Sequence, residues 1–268
     1  MLYLLLFLLL AALAAWGVLL LGGGWLLAVL AFLLVFVLVQ LVWLAVFAFL
    51  VRKVDLTQEG AVQDRRAAFC AEKTCEYLCF LAGAIPRFVG LEKLPKDRSF
   101  LLVSNHRSLF DPLLLMWKLA PWHIAFITKP SNFNYPFFRP IGSAGGYLTI
   151  DRENDREALK TILRAADYLK RGVCSLGIYP EGTRTRTGEL LPFHPGSFKA
   201  AQRGGAPIAV CCVTGTEKLK RGLLLCPHRV RFEVLELLPA EQVKTMSTKE
   251  LADYSRARIE AALQEDRI

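Results

Sequence analysis

The first 51 residues, Met1 to Val51, contain no Asp, Glu, Lys, Arg or His. All 33 Lys and Arg and all 24 Asp and Glu fall in the rest of the 268-residue chain. That remainder is about a quarter charged, an ordinary value for a soluble domain. A distribution this uneven excludes a plain soluble globule and excludes a polytopic transporter. It leaves one membrane-embedded segment joined to one domain of ~200 residues, a size that buries a proper core.

A helix rises about 1.5 Å per residue and needs roughly 20 residues to cross a ~30 Å hydrocarbon layer. Residues 2–51 are too long for one span. Gly22-Gly23-Gly24 divides them into Leu2–Leu21 and Trp25–Val51. Three consecutive glycines make a poor helix interior and a good hinge. A cleaved secretory signal fits badly, because it would carry a basic start and a much shorter apolar core. The pattern therefore predicts a membrane-embedded helical hairpin over residues 1–53. Two spans, a re-entrant hairpin in one leaflet and, least favoured, a single long bent helix all stay open. Arg52 and Lys53 follow directly and Arg65-Arg66 stand close behind, so the positive-inside rule puts this flank on the cytoplasmic face.

The net charge of +9 also sits entirely after Val51. A basic domain tethered to a membrane attracts anionic head groups or phosphorylated ligands. Nothing supports nucleic acid as the partner: there is no basic stripe interleaved with aromatics, no recognition helix and no RNA-binding motif. The seven Cys include Cys70, Cys75 and Cys79 on a predicted helix and Cys211-Cys212 in an apolar run, with no C-x-x-C pair. Buried free thiols in a reducing compartment are the expectation.

Residues 54–85 are predicted as a connector, Val54–Gly60, followed by an amphipathic helix over 61–82 that stops at Gly83 and Pro86. Residues 86–268 form the main domain. Strands are predicted at 87–91, 99–104, 123–128, 147–150, 173–179, 207–214 and 229–237. The last of these alternates in polarity and should be half-exposed. Helices are predicted at 113–119, at 155–171 between an Asn154 N-cap and a Gly172 stop, and at 196–203 before Gly204-Gly205. A final helix opens at a Ser247/Glu250 capping box and runs to about Gln264. Strands alternating with helices imply an α/β sheet with helices packed on it.

Three polar segments interrupt this pattern where strands end. In the first, Asn105-His106-Arg107-Ser108-Leu109-Phe110-Asp111, His106 and Asp111 would lie about 140° apart on a continuous helix and would not touch. Across a turn into a helix N-terminus they can meet. An Asp bonded to one imidazole nitrogen fixes the tautomer and makes the other nitrogen a better base. Asp111-Pro112 is equally an ordinary helix-opening pair. The second segment, Tyr179-Pro180-Glu181-Gly182-Thr183-Arg184-Thr185-Arg186-Thr187-Gly188, follows an apolar strand. Its backbone amides, hydroxyl and guanidinium could surround a phosphate, or it could be a solvated basic turn. Glu181 cannot accept phosphate oxygens and is expected to orient an Arg or a substrate hydroxyl. In the third, Arg152 ends a short strand and could supply a second phosphate contact or simply pair with Asp151. Lys129, after the strand at 123–128, is a further cation. Ligands of open α/β sheets bind at the carboxyl ends of strands, which favours one shared site over several unrelated turns.

Together these motifs resemble the glycerolipid acyltransferase family, and within it the bacterial 1-acylglycerol-3-phosphate acyltransferases. N-H-x4-D stands as NHRSLFD, the second motif as GGYLTIDR, the third as PEGTR and the fourth as APIAVCCV (Ala206–Val213). The fourth departs most, with small residues and two Cys replacing the usual Val-rich run. The resemblance implies a glycerolipid acyltransferase-like mixed sheet with flanking helices and location at the bacterial inner membrane. It implies that a fatty acyl group passes from an acyl thioester to the sn-2 hydroxyl of 1-acyl-glycerol-3-phosphate, giving phosphatidic acid. His106 would be the general base and Asp111 would orient it. Lys129, Arg152 and Arg184 would hold the acceptor phosphate in a pocket shaped by Glu181, Gly182 and Thr183. No metal or cofactor is implied; acyl-CoA or acyl-carrier protein is the co-substrate. The partners implied are the two substrates, membrane lipid and, where it is the donor, acyl-carrier protein.

Three rival readings stay open. Another lysophospholipid, glycerol 3-phosphate or a lyso-aminolipid could be the acceptor. A non-catalytic basic tether could bind anionic lipid. An acyl-enzyme on Cys174 or Cys211 is disfavoured, because both sit in apolar strands where thiolate formation is costly. Residues 184–221 carry seven Lys or Arg against Glu189 and Glu217. They are a candidate lipid-facing surface or a merely solvated one.

Overall fold

The computed structural model describes residues 2–52, 64–135, 138–139, 142, 146–151, 154–185, 188–221 and 227–265. The predicted connector Val54–Gly60 lies outside the described residues. Two compact units emerge, Met1–Val54 and Asp55–Ile268.

In the first unit, α1 (Leu2–Leu20) and α2 (Trp25–Val51) pack against each other. The glycine hinge is a specific helix stop. Gly22 takes φ +81°. The Gly22 amide donates to the Leu19 carbonyl at 3.1 Å and the Gly23 amide to the Val18 carbonyl at 2.8 Å. This is the double bond of a Schellman cap, which needs a left-handed residue at its centre. A Cβ on Gly23 would meet Val18 Cγ1 at 2.6 Å. Ala11 and Ala28 are buried in the unit, as small residues at a close helix contact should be. Large side chains such as Leu13, Trp16, Leu26 and Leu34 are exposed. A helix pair with an apolar exterior and no charge has its natural solvent in lipid. Trp25–Leu50 is long and apolar enough to cross a membrane; the apolar stretch Leu5–Leu20 is shorter.

The second unit is a seven-stranded mixed sheet. Its strands are β1 (Ala84–Val89), β2 (Leu101–Ser104), β3 (Ile124–Thr128), β4 (Leu148–Thr149), β5 (Ser175–Ile178), β6 (Ile208–Thr214) and β7 (His228–Leu238). The spatial order is β1-β7-β6-β2-β5-β3-β4, with every neighbouring pair parallel except β6 and β7. Helices α3 (Arg65–Leu81), α4 (Phe110–Lys118), α5 (Asp155–Arg171), α6 (Lys199–Gly204), α7 (Ala240–Thr245) and α8 (Thr248–Glu265) complete it.

The central strands, β2, β5 and β6, are apolar except at Ser104, Ser175 and Thr214 at their ends, because both of their faces are covered. Leu101, Val103, Leu176, Ile178, Ile208 and Val210 pack towards a core shared with α5, α6 and α8. Phe100, Leu102, Phe126, Ala209, Cys211 and Val213 pack on the opposite side with Leu115 of α4. Asn154 caps α5 by accepting the Glu157 amide at 3.2 Å, and Gly172 ends that helix at φ +68°. The predicted capping box forms: the Ser247 amide donates to Glu250 at 2.7 Å, and the Glu250 amide to Ser247 Oγ at 3.2 Å.

Several element boundaries move. The first strand begins at Ala84, not Arg87, and runs through Pro86. Its place at the sheet edge, paired only with β7, explains how a proline is tolerated. α4 starts at Phe110, three residues before the prediction, with Pro112 inside its first turn. The helix expected at 196–203 is a 3-10 turn, Pro195–Phe198, leading into the short α6. The stretch AEQVKT, which carries no periodic pattern of its own, forms α7. α3 packs on α4 and so belongs to the α/β unit, which begins upstream of Pro86.

Candidate active site

β2, β5, β3 and β4 run in one direction, so the segments that follow them meet at one edge of the sheet, together with the segment after β6. His106 follows β2, Glu181–Arg184 follow β5, Lys129 follows β3 and Thr216 follows β6.

His106 Nδ1 lies 2.8 Å from Asp111 Oδ2. The same oxygen accepts the backbone amides of Arg107 at 2.7 Å and Ser108 at 2.8 Å. The other carboxylate oxygen accepts the hydroxyl of Thr216. Asp111 is completely buried, while the His106 side chain keeps 17% of its surface. With the Arg107 and Ser108 amides and the Thr216 hydroxyl turned towards it, Asp111 is set up as an acceptor. Nδ1 therefore carries the ring proton and Nε2 presents its lone pair. Asp111 is the second residue of α4 and reaches back to amides that precede the helix, whose N-cap position is Leu109 with no side-chain cap bond, so the reading of Asp111-Pro112 as an ordinary helix-opening pair does not hold.

The main chain of His106 is fixed as firmly as its ring. Glu181 Oε1 accepts the His106 amide at 2.6 Å, and Glu181 Oε2 accepts the Leu191 amide at 3.0 Å. The Thr185 amide donates to the His106 carbonyl at 3.1 Å. Burial pushes the Glu181 carboxyl above its ordinary value, against the pull of those two amides. Both oxygens of Glu181 thus serve backbone amides, in place of the Arg or substrate hydroxyl expected from the sequence. Asn105 clamps the next strand over: its side chain donates to the Val213 carbonyl and accepts the Val213 amide, each at 2.8 Å. Beneath the imidazole, Tyr179 stacks with ring centroids 4.1 Å apart and planes within 13°. Phe126 stacks in turn on Tyr179 at 5.7 Å.

The phosphate candidates differ in character. Lys129, Thr183 and Arg184 are exposed at the same sheet edge. Gly182 takes φ +77°, which turns the loop after β5, and its amide donates to the Tyr179 carbonyl at 3.0 Å. Arg152 lies outside the described residues. Beside the loop runs a largely apolar groove of about 520 Å³, with Ile150, Leu159, Ile178 and Gly182 in its walls. The two candidate nucleophilic cysteines are deep in the sheet. Burial raises the Cys174 thiol to about 12 and pushes Cys211 well up, so neither supplies a thiolate near neutral pH.

Thr216 has no place among the sequence-predicted residues, and Tyr179 opens the second polar segment without a role assigned to it. Thr216 stands 105 residues from Asp111 and belongs to no motif. The one available signal is the turn after β6, where Gly215 takes φ +84° and a Cβ would meet the Arg229 carbonyl oxygen at 2.3 Å.

Residues 85–214 match the family model described as Acyltransferase, a span that contains this constellation from His106 to Thr185. This is an acyltransferase-family domain. The chain is 31% identical over 172 residues to the 1-acyl-sn-glycerol-3-phosphate acyltransferase of Salmonella typhimurium, covering 61% of this chain and 66% of that protein. It is also 31% identical over 169 residues to the enzyme of that name from Escherichia coli, with the same shares covered. The chain thus spans just under two thirds of the length of these relatives. The crystal structure of the 1-acyl-sn-glycerophosphate acyltransferase of Thermotoga maritima is similar at a TM-score of 0.63 and 24% identity, over 76% of this chain and 83% of that one. That likeness is one of fold. Within the matched span, His106, Asp111 and the loop after β5 are held together by the hydrogen bonds just described.

Proposed function

We propose that the chain transfers a fatty acyl group from an acyl thioester to the sn-2 hydroxyl of 1-acyl-glycerol-3-phosphate, giving phosphatidic acid and a free thiol. The observation that carries this reading is the 2.8 Å contact between His106 Nδ1 and a fully buried Asp111 inside a domain matched to acyltransferases. The names of the bacterial relatives supply the acceptor.

Nε2 of His106 takes the proton of the acceptor hydroxyl as its oxygen attacks the thioester carbonyl. The C–S bond of the resulting tetrahedral species then breaks, and the departing thiolate recovers the proton from the imidazolium. Asp111 keeps the ring in the productive tautomer and balances the transient positive charge. Arg184 and Lys129, with Arg152, hold the acceptor phosphate, and Thr183 and the Gly182 turn shape the pocket beside them. Glu181 supports the pocket from beneath by fixing the main chain of His106.

The apolar hairpin α1–α2 anchors the chain in the bilayer, with the Arg52 flank in the cytoplasm. Leaving acceptor and product tails in lipid avoids a cost of about 0.8 kcal/mol per exposed CH₂ at every turnover. A protease-protection assay that finds the C-terminus on the outer face would reverse this orientation.

The deciding experiment crosses acyl-CoA and acyl-carrier protein with a panel of lysolipids and with glycerol 3-phosphate, for the wild type and His106→Ala. Turnover should favour 1-acyl-glycerol-3-phosphate, and His106→Ala should lower kcat by about 10²–10⁴-fold with lipid binding kept, the range expected for a lost general base. Preference for another lysolipid would change the acceptor. Unchanged kcat in the variant would remove the catalytic assignment.

A further inference from the structure

β7 presents two unlike faces. Val230, Phe232 and Val234 are buried on one side. On the other stand Arg229, Arg231 and Glu233. In the β1–β7 ladder Ile85 pairs with Arg229 and Arg87 with Arg231; in the β6–β7 ladder Thr214 pairs with Arg231. Ladder partners share a face, and residues two apart on a strand do so too. Arg87, Arg229 and Arg231 therefore rise from the same side of the sheet.

They line a groove of about 610 Å³, together with Arg107, Glu217 and Lys218. Two of its five cations are engaged: Arg107 pairs with Glu217 at 3.1 Å, and Arg231 with Glu233 at 2.7 Å. Arg87, Lys218 and Arg229 are exposed and have no carboxylate partner among the described residues. The inner end of the groove reaches the catalytic pair. Arg107 follows His106, and Thr214-Gly215 leads to Thr216, whose hydroxyl holds Asp111.

The position of this groove in the sheet decides what it is for. His106 follows the central strand β2. Lys129, Arg184 and the β4 end lie on the β5-β3-β4 side of it, and the groove lies on the β6-β7-β1 side. Acyl transfer brings two substrates to one imidazole, and each carries phosphate. In the acceptor the phosphate is close to the reacting hydroxyl. In the donor it sits at the far end of a pantetheine arm, remote from the thioester. Two anions that converge on one base repel each other unless separate cationic sites receive them.

We propose that the β1–β7 groove binds the phosphate-bearing pantetheine arm of the acyl donor, with the thioester delivered to His106 past Arg107. The proposal rests on the acyl-transfer reading above. Guanidinium groups suit the role because they fork onto phosphate oxygens and stay charged. A pantetheine phosphate is common to coenzyme A and to a carrier protein.

The test uses the full-length protein in detergent micelles. Binding of coenzyme A and of free 4′-phosphopantetheine is measured by calorimetry for the wild type, for Arg87→Glu/Arg229→Glu and for a charge-matched control, Lys244→Glu/Lys249→Glu, on exposed residues of α7 and α8. Kinetics with acyl-CoA and with acyl-carrier protein follow in parallel. The groove variant should weaken binding of both probes about tenfold and raise the donor KM by a similar factor. The acceptor KM and kcat should stay within twofold, and the control should match the wild type. A rise in the KM of both donors assigns the groove to the shared arm, and a rise for acyl-CoA alone assigns it to the nucleotide-bearing source. A rise in acceptor KM, an equal effect in the control, or probe binding that is absent from the wild type or unchanged in the variant overturns the proposal. Absence of wild-type turnover with every acceptor would sink the acyltransferase reading, while the binding arm would still decide the groove.

Discussion

The two halves of the candidate site are built to different standards. Asp111 is fully buried under four donors, and His106 is held at its ring, its amide and its carbonyl. The cations proposed to meet phosphate, Lys129 and Arg184, stand exposed. A general base, the role proposed for His106, must be placed to within tenths of an ångström of a reacting proton, which calls for an over-determined frame. A phosphate can be attracted by mobile charges at some distance. Substitutions in the first half should therefore disturb chemistry and folding together, and those in the second should disturb recognition alone.

The sharpest attempt to break this contrast is Asp111→Asn. Asparagine keeps the shape. Its oxygen can still accept the His106, Arg107 and Ser108 donors, while its amide faces Thr216, whose hydroxyl can rotate to accept. What disappears is the negative charge opposite the imidazolium. We expect kcat to fall by about 10²–10⁴-fold, with the midpoint of unfolding little moved. A variant with near wild-type kcat would mean that Asp111 only braces the turn before α4.

Thr216→Val asks whether the frame itself matters. The substitution leaves one oxygen of a buried carboxylate without its donor, at a cost of about 1–3 kcal/mol in stability. A less firmly oriented Asp111 should also lower kcat by about tenfold, an effect near 1.4 kcal/mol. Denaturant unfolding and steady-state kinetics on the same preparation check both. A stability loss with kcat intact would confine Thr216 to folding.

Thr216 also marks the limit of what the sequence discloses. All seven strands are legible in it, because the central ones are mostly apolar runs between turn residues and β7 alternates. α5 and α8 are legible from their capping residues, Asn154 and Ser247/Glu250. His106, Asp111 and Arg184 are legible because each lies in a local motif. The Thr216 hydroxyl, the Tyr179 stack and the Arg87–Arg231 pairing all join segments separated by 70 or more residues, and no local pattern records them. Glu181 is intermediate. Its motif draws attention to it, but its work on two backbone amides depends on where the Leu191 segment passes. The start of β1 was hidden by Pro86, since the sequence does not tell an edge strand from a central one.

Glu181→Gln probes that intermediate case. Glutamate offers an acceptor oxygen to each of two amides; glutamine offers one oxygen and turns an N–H₂ towards the other. One buried amide then faces an N–H₂ in place of an oxygen that keeps a lone pair even in a protonated carboxyl, and we expect destabilisation of about 1–2 kcal/mol in acid. The pH dependence has a definite sign. Burial raises the folded carboxyl above its ordinary value. Its contribution is therefore fully present below the unfolded value of about 4.3 and declines as pH rises through the raised one. The gap between wild type and variant should narrow over that window. Unfolding measured from pH 4 to pH 8 tests this, and a gap that widens with pH would show that the amides outweigh the burial.

Arg184→Ala should give the smallest change, and it tests the other half of the contrast. An exposed guanidinium contributes at most about 1 kcal/mol to an ion pair in water, because solvent and salt screen it. At that strength the acceptor KM should rise about fivefold, with kcat, donor KM and the unfolding midpoint unchanged. The effect should shrink as ionic strength rises, since it is carried by exposed charge. Loss of kcat in place of acceptor affinity would show that Arg184 acts on the reacting centre, and the division between a rigid catalytic half and a loose recognition half would have to be redrawn.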